Sequence, residues 1–186
     1  MRKLHRVATV LGRVVVVGLV LTAPARAQST SDLERRVKAA FLFKFVGYVE
    51  WPAGTFGGDL PVTIGVLGDR QLANELARVC AGRAIEGKRV SVVALDRIDR
   101  DARIHVLFLP DSQRERLGSL IAAAPARGVL VVTESEGALG SGSVINFVLH
   151  RGRVRFDISL AAAEDRGLIL RSGLLAVAQS VIPVGQ

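Results

Sequence analysis

The chain has 186 residues, 49% hydrophobic, 23% charged and 5% aromatic, a balance that fits one globular domain and excludes disordered and fibrous classes. Its formal charge of +8 is unevenly placed: Arg2, Lys3, Arg6, Arg13 and Arg26 fall in the first 27 residues, which hold no acid, so the rest carries only +3. Those later charges are scattered, which argues against a nucleic-acid partner, because clustered basic surface supplies most of such affinity.

Residues 1–27 read as a secretory signal. Arg2, Lys3, His5 and Arg6 form a basic head, Val14 to Leu21 an apolar stretch, and Ala25-Arg26-Ala27 the small-residue pattern that predicts cleavage between Ala27 and Gln28. A spanning helix needs about 20 apolar residues; Arg13 interrupts this one and Pro24 closes it, so a permanent anchor is the weaker reading. The leader holds no Cys for lipid attachment, and no later stretch is long and apolar enough to span. The leader looks bacterial, so the expected destination is the periplasm. Residues 28–186 are expected to form one domain, without linker or repeat.

Asp32 is placed to cap a helix running to about Val49, ended by Trp51-Pro52. Leu33, Val37, Phe41, Phe45 and Tyr48 share one face, and Leu42, Phe43, Val46 and Val49 widen the apolar arc until the helix must be covered on two sides or dock a partner. Pro61 to Leu67 reads as a buried strand, and Gly68-Asp69 opens a helix to about Ala81. Val90–Leu95, Ile104–Leu109 and Gly128–Thr133 read as further strands, with Asp111 capping a helix to about Ala124 between the last two. Continuous apolar runs alternating with helices predict a mainly parallel sheet buried on both faces. Ser143–Leu149 and Arg153–Ser159 then read as a β-hairpin near a sheet edge, with Val154, Phe156, Ile158 and Leu160 inward and Arg153, Arg155, Asp157 and Ser159 outward. A short Ala-rich helix from Ala161 and a last helix from Ser172 to about Val181 complete the chain. The expected class is α/β: a single domain, a mainly parallel central sheet flanked by helices, and a C-terminal antiparallel hairpin.

Catalytic patterns are missing from the sequence. There is no G-x-S-x-G, H-E-x-x-H, C-x-x-C or P-loop. His105 lies in an apolar strand, where a hydrogen-bonded interior role outweighs catalysis, and His150 sits at a turn. Two separated histidines with scattered carboxylates do not make a metal site. Gly65 to Asp69 ends a strand and opens a helix, a place that attracts anions, but Asp69 would repel them and serves more simply as a cap. Cys80, the single cysteine, reads as a buried apolar residue. The expectation is a protein with no catalytic, cofactor or metal residues.

Val37-Lys38-Ala39-Ala40-Phe41-Leu42-Phe43-Lys44-Phe45 followed by Glu50-Trp51-Pro52 resembles the opening signature of the YfiR-like family of periplasmic proteins. The resemblance continues through Ile64 to Gly68, His105 to Phe108, Ile145-Asn146-Phe147, Arg155 to Ile158, and Leu168-Ile169-Leu170 leading into Leu174-Leu175, so it covers nearly all of residues 28–186. It implies a regulator that binds the periplasmic part of an inner-membrane diguanylate cyclase, holds it inactive, and so lowers cyclic-di-GMP and biofilm formation. Some relatives use disulfides; here Ile104 stands where many have a Cys, which leaves Cys80 unpartnered. Candidate partner contacts are Trp51, Arg155, Asp157 and Leu168. A homodimer stays open. Alternative classes are a periplasmic small-molecule binding protein, with its ligand where the parallel strands end, and, least favoured, a hydrolase using His105.

Overall fold

The computed structural model describes residues 25–57, 60–99 and 101–184. Residues 1–24 of the expected leader lie outside the described residues; the expected cleavage pair, Ala27 and Gln28, falls in the first turn of helix α1 (Ala25–Gly47). No helix among the described residues is long and apolar enough to cross a membrane.

Within α1, Asp32 does not cap: it lies inside the helix, and its carboxylate takes the Arg35 guanidinium at 2.6 Å. The buried stripe is Ala39, Leu42, Phe45 and Val46, carried on by Val49, while Leu33 and Tyr48 are exposed. Three- and four-residue spacing therefore holds, but the face is centred on Leu42. A single turn of extended chain, β1 (Val49–Glu50), follows the helix.

The expected α/β architecture is present. Strands β2 (Val62–Leu67), β4 (Lys88–Leu95), β5 (Val106–Leu109), β6 (Leu130–Thr133) and β7 (Ile145–His150) pair in parallel, with β2 at the point where the chain reverses direction across the sheet. Helix α2 (Arg70–Cys80) links β2 to β4, and here the expected cap holds: the Leu72 amide donates to Asp69 Oδ1 at 2.9 Å. Helix α3 (Leu117–Ala123) follows β5 on the opposite face. Alternation along each strand splits the interior. Ile64, Val66, Phe108, Val132, Phe147 and Phe156 pack under α1 and α2; Leu107, Leu109 and Val131 pack under α3.

The hairpin is as expected: β7 and β8 (Arg153–Ser159) are antiparallel, with His150 opposite Arg153. Its two-residue turn puts Arg151 (φ 51°) and Gly152 (φ 70°) in the left-handed region, the geometry whose twist matches paired strands. Ser159 then caps α4 (Leu160–Asp165), accepting from the Ala162 amide at 3.2 Å.

Two further sequence expectations need correction. Asp111 caps no α-helix: residues 111–116 form a 3-10 turn in which its carboxylate binds Arg114, and α3 begins only at Leu117. The local ion pair takes the oxygen that a cap would need. Ser172 likewise caps nothing; α5 (Ser172–Leu175) is one turn long, and the chain leaves it to form β10 (Ser180–Ile182), parallel to β8. The outer edge of β8 would otherwise bury unpaired backbone groups, and the Gln179 amide begins the pairing by donating to the Phe156 carbonyl at 2.8 Å. Consequently β10 is the sheet edge and the hairpin lies beside it, near the edge as expected; with β3 (Ala84–Ile85) at the far end, the order is β10-β8-β7-β6-β5-β2-β4-β3. Two short ribbons were also not foreseen: β3, a hairpin onto β4, and β9 (Ile169–Leu170), which pairs antiparallel with β1.

Candidate partner-binding surface

Helix α3 covers its face of the sheet only as far as β6. Beyond it, the outward side chains of β7, β8 and β10 form an open surface whose rows follow from register: Asn146 beside Asp157 and Ser180, Val148 beside Arg155, and His150 beside Arg153. Arg153 and Arg155 are exposed and Asp157 is half-buried. One Asp157 oxygen, Oδ1, is enclosed yet has no hydrogen-bond partner. Desolvation pushes its carboxyl pKa above the ordinary value. Next to it lies a cleft of about 660 Å³ lined by His150, Arg151, Arg153 and Arg155 and by the Ala176–Gln179 loop. The surface thus joins a cationic cleft to a carboxylate that lacks a donor, an arrangement suited to a polar protein surface of mixed charge.

A second concavity, about 420 Å³, lies where β5 and β6 end. Lys38 reaches from α1 to Glu134 at 2.6 Å, with both side chains mostly buried, and the other Glu134 oxygen accepts the Asp111 amide at 3.1 Å. The Ser135 hydroxyl is buried without a partner at full hydrogen-bond geometry, though it stands near enough to the Asp111 carboxylate to join Arg114, the larger influence, in holding it ionised. Below it, Thr133 bonds both Ser143 (2.8 Å) and the Asn146 side-chain carbonyl (2.7 Å), which fixes Asn146 at the floor. Phe147, Val148 and Leu149 form an apolar wall.

The structure divides the four candidate contacts into two places. Arg155 and Asp157 share the open face. Trp51 lies at the other end of the sheet, half-buried and edge-on to Phe56 (5.5 Å between centroids) and to His105 (6.3 Å). Leu168, one step beyond the β1–β9 pairing, is a core residue and presents no surface; its exposed neighbour is Ile169. The β9 turn buries Leu168 because a two-residue ribbon alternates its faces. His105 is an interior residue, hydrogen-bonded through its ring to Thr63. His150 is exposed at the end of β7. Cys80 is buried and free, and desolvation, opposed by the Arg83 charge, raises its thiol to about 11, so it is uncharged at neutral pH. Sequence reading overlooked Lys38, Glu134 and the His150–Arg151–Arg153 group; the signal for the last was the alternating arginines Arg151, Arg153 and Arg155.

Comparison with known proteins settles the lineage. The YfiR/HmsC-like family pattern matches residues 35–179, from the middle of α1 to the last residue before β10. The chain belongs to the YfiR/HmsC-like family. Among solved structures, this YfiR/HmsC-like chain is similar to a conserved domain protein from Vibrio cholerae O1 biovar El Tor, with a TM-score of 0.55 and 12% identity over 80% of this chain. The match spans 60% of the Vibrio chain, and at that identity it speaks for the fold alone. No curated protein matches the chain.

Proposed function

We propose that this YfiR/HmsC-like protein is an exported, non-catalytic regulator that binds the periplasmic sensor region of an inner-membrane diguanylate cyclase and holds the enzyme inactive, lowering cyclic-di-GMP and biofilm formation. The observation that carries the reading is the family match across nearly the whole folded region. The open face supports it with a place for contact: Arg155 and Asp157 stand together on rigid strands, beside the cationic cleft. A donor from the partner would meet the orphaned Asp157 oxygen, and carboxylates would meet Arg153 and Arg155.

Repression is a population shift. A protein that favours the inactive conformer of a sensor moves the equilibrium only by its difference in affinity for the two conformers, and a switch from mostly on to mostly off needs roughly 3–5 kcal/mol of preference. A few desolvated charge-assisted bonds supply that amount.

The test is capture of the purified protein by the periplasmic segment of an inner-membrane diguanylate cyclase from the same genome. Binding at micromolar concentration is expected, and Arg155→Glu should weaken it at least tenfold with unchanged far-UV circular dichroism. No capture at that concentration, together with unchanged cyclic-di-GMP on deletion, overturns the reading.

A second reading, a periplasmic small-molecule binder, draws on the concavity at the ends of β5 and β6, because open parallel sheets hold ligands at the carboxyl ends of their strands. A ligand at 100 times its dissociation constant would stabilise the protein by about 2.7 kcal/mol, so a broad thermal-shift panel without a response dismisses it.

A further inference from the structure

The loop Trp51–Gly57 connects β1 to the segment before β2 and lies over the amino ends of the parallel strands. Trp51 and Phe56 pack on the main core there, and one imidazole ties the loop to β2. The His105 backbone is fixed first: its amide donates to the Thr63 carbonyl at 2.9 Å. Its ring Nδ1 then accepts the Thr63 amide, also at 2.9 Å. An accepting Nδ1 places the proton of the neutral ring on Nε2, which faces the Thr55 carbonyl at 3.4 Å. Phe56 stacks on the imidazole with centroids 4.9 Å apart, and Trp51 meets its edge. Within the loop, the Thr55 hydroxyl donates to the Pro52 carbonyl.

Neutral His105 is therefore an adaptor, with one nitrogen on β2 and the other on the loop. Protonation destroys the adaptor. A proton on Nδ1 would point at the Thr63 N–H, setting donor against donor, so the ring must turn and disturb its stack with Phe56. The Phe56 face would welcome a cation weakly, but that attraction does not remove the clash. Among the described residues, the charged side chains around the ring are also cations: Lys88 over the Phe56 ring, Arg103 on the wall of the adjoining cavity, and Arg127 beside Gly167 and Pro52. Among the described residues no carboxylate acts on the His105 titration; burial pushes the pKa below 6.5, partly offset by the Thr55 carbonyl.

We propose that His105 is a proton-operated latch on the Trp51–Gly57 loop, closed while the imidazole is neutral and released when it takes up a proton. The sign follows from linkage. The released ring regains its ordinary affinity for protons, so the released population grows as pH falls below 6.5 and levels off once the closed ring is also protonated. The latch stands on this geometry alone. Its use as an acid input to a partner rests on the reading above, because the exposed residue would be Trp51.

Trp51 is the sole tryptophan of the chain and reports directly. Between pH 7.5 and pH 5, the acrylamide quenching constant of the protein should at least double and the emission shift to the red, while far-UV circular dichroism stays constant. His105→Gln should abolish the response and His150→Gln should leave it intact. An unchanged quenching constant, an equal response in His105→Gln, or loss of far-UV signal together with the fluorescence change overturns the proposal. Should His105→Gln fail to fold, amide exchange at Thr63 in the unaltered protein decides: protection should fall at least tenfold over the same range, and constant protection overturns the latch. These outcomes are separate from cyclase capture at pH 7.5, so failure of one reading leaves the other standing.

Discussion

Asp157 sits in a conflict that only an outside group resolves. Its Oδ1 has no partner, and burial raises its pKa above 3.8. A carboxyl with a raised folded pKa gives a stability advantage that is complete below the unfolded value and is lost as pH rises through the folded one. At neutral pH the charged form is thus a cost to folding. Asp157→Asn should raise the melting temperature at pH 7, with the gain closing below about pH 4, where both states of the natural residue are protonated. The same substitution should weaken capture by the cyclase segment. A variant that melts lower at pH 7 would contradict the first expectation. His105 and Cys80 were legible as interior residues because each is flanked by apolar neighbours in sequence. Nothing in the sequence could show that an Asp157 oxygen lacks a donor, since that depends on what Asn146 and Ser180 offer across two strand pairs.

Among the elements, α1 is joined to the hairpin by aromatic packing. Phe45 is fully buried, 5.7 Å from Phe147 and 5.0 Å from Phe156 between centroids, and Phe41 adds a contact to Phe156 at 5.3 Å. Helix α1 lies far from the hairpin in the chain, so the cluster closes the α1 side of the sheet. Removing the ring should leave a cavity that such a close-packed group cannot collapse; Phe45→Ala is expected to cost about 3–5 kcal/mol in urea unfolding. A loss under 1 kcal/mol would mean that α1 does not seal the core. Periodicity located β2, α2, the hairpin and the body of α1, though not its start, because long periodic runs and a two-residue turn are local properties. It misjudged the segment from Ser172, where Ala, Val and Gln at helical spacing end in a strand. That choice belongs to β8, whose free edge binds whatever lies beside it.

At the scale of the molecule, two apolar cores share one sheet. Strand residues of one parity pack under α1 and α2, those of the other under α3, and β2, β4, β5 and β6 contribute to both. Neither core can dissolve while the other keeps the sheet, so unfolding should be a single cooperative transition. In urea at pH 7.5, tryptophan fluorescence and far-UV circular dichroism should trace the same curve; separated midpoints would show that one face opens alone. The same layering sets the functional surface. The α3 cover stops at β6, and the three strands beyond it expose Arg153, Arg155 and Asp157 on a rigid support.

The sequence by itself determined the α/β class, the parallel core strands, the hairpin and the kinship to YfiR/HmsC-like proteins, because hydrophobic period and turn chemistry are written over a few consecutive residues. Tertiary structure alone decided which strand is the edge, that Leu168 is interior while Arg155 and Asp157 share an open face, and that Trp51 rests against His105. Those outcomes depend on hydrogen-bond registers and ring contacts between segments as much as about 120 positions apart, and pairing at that distance leaves no local pattern.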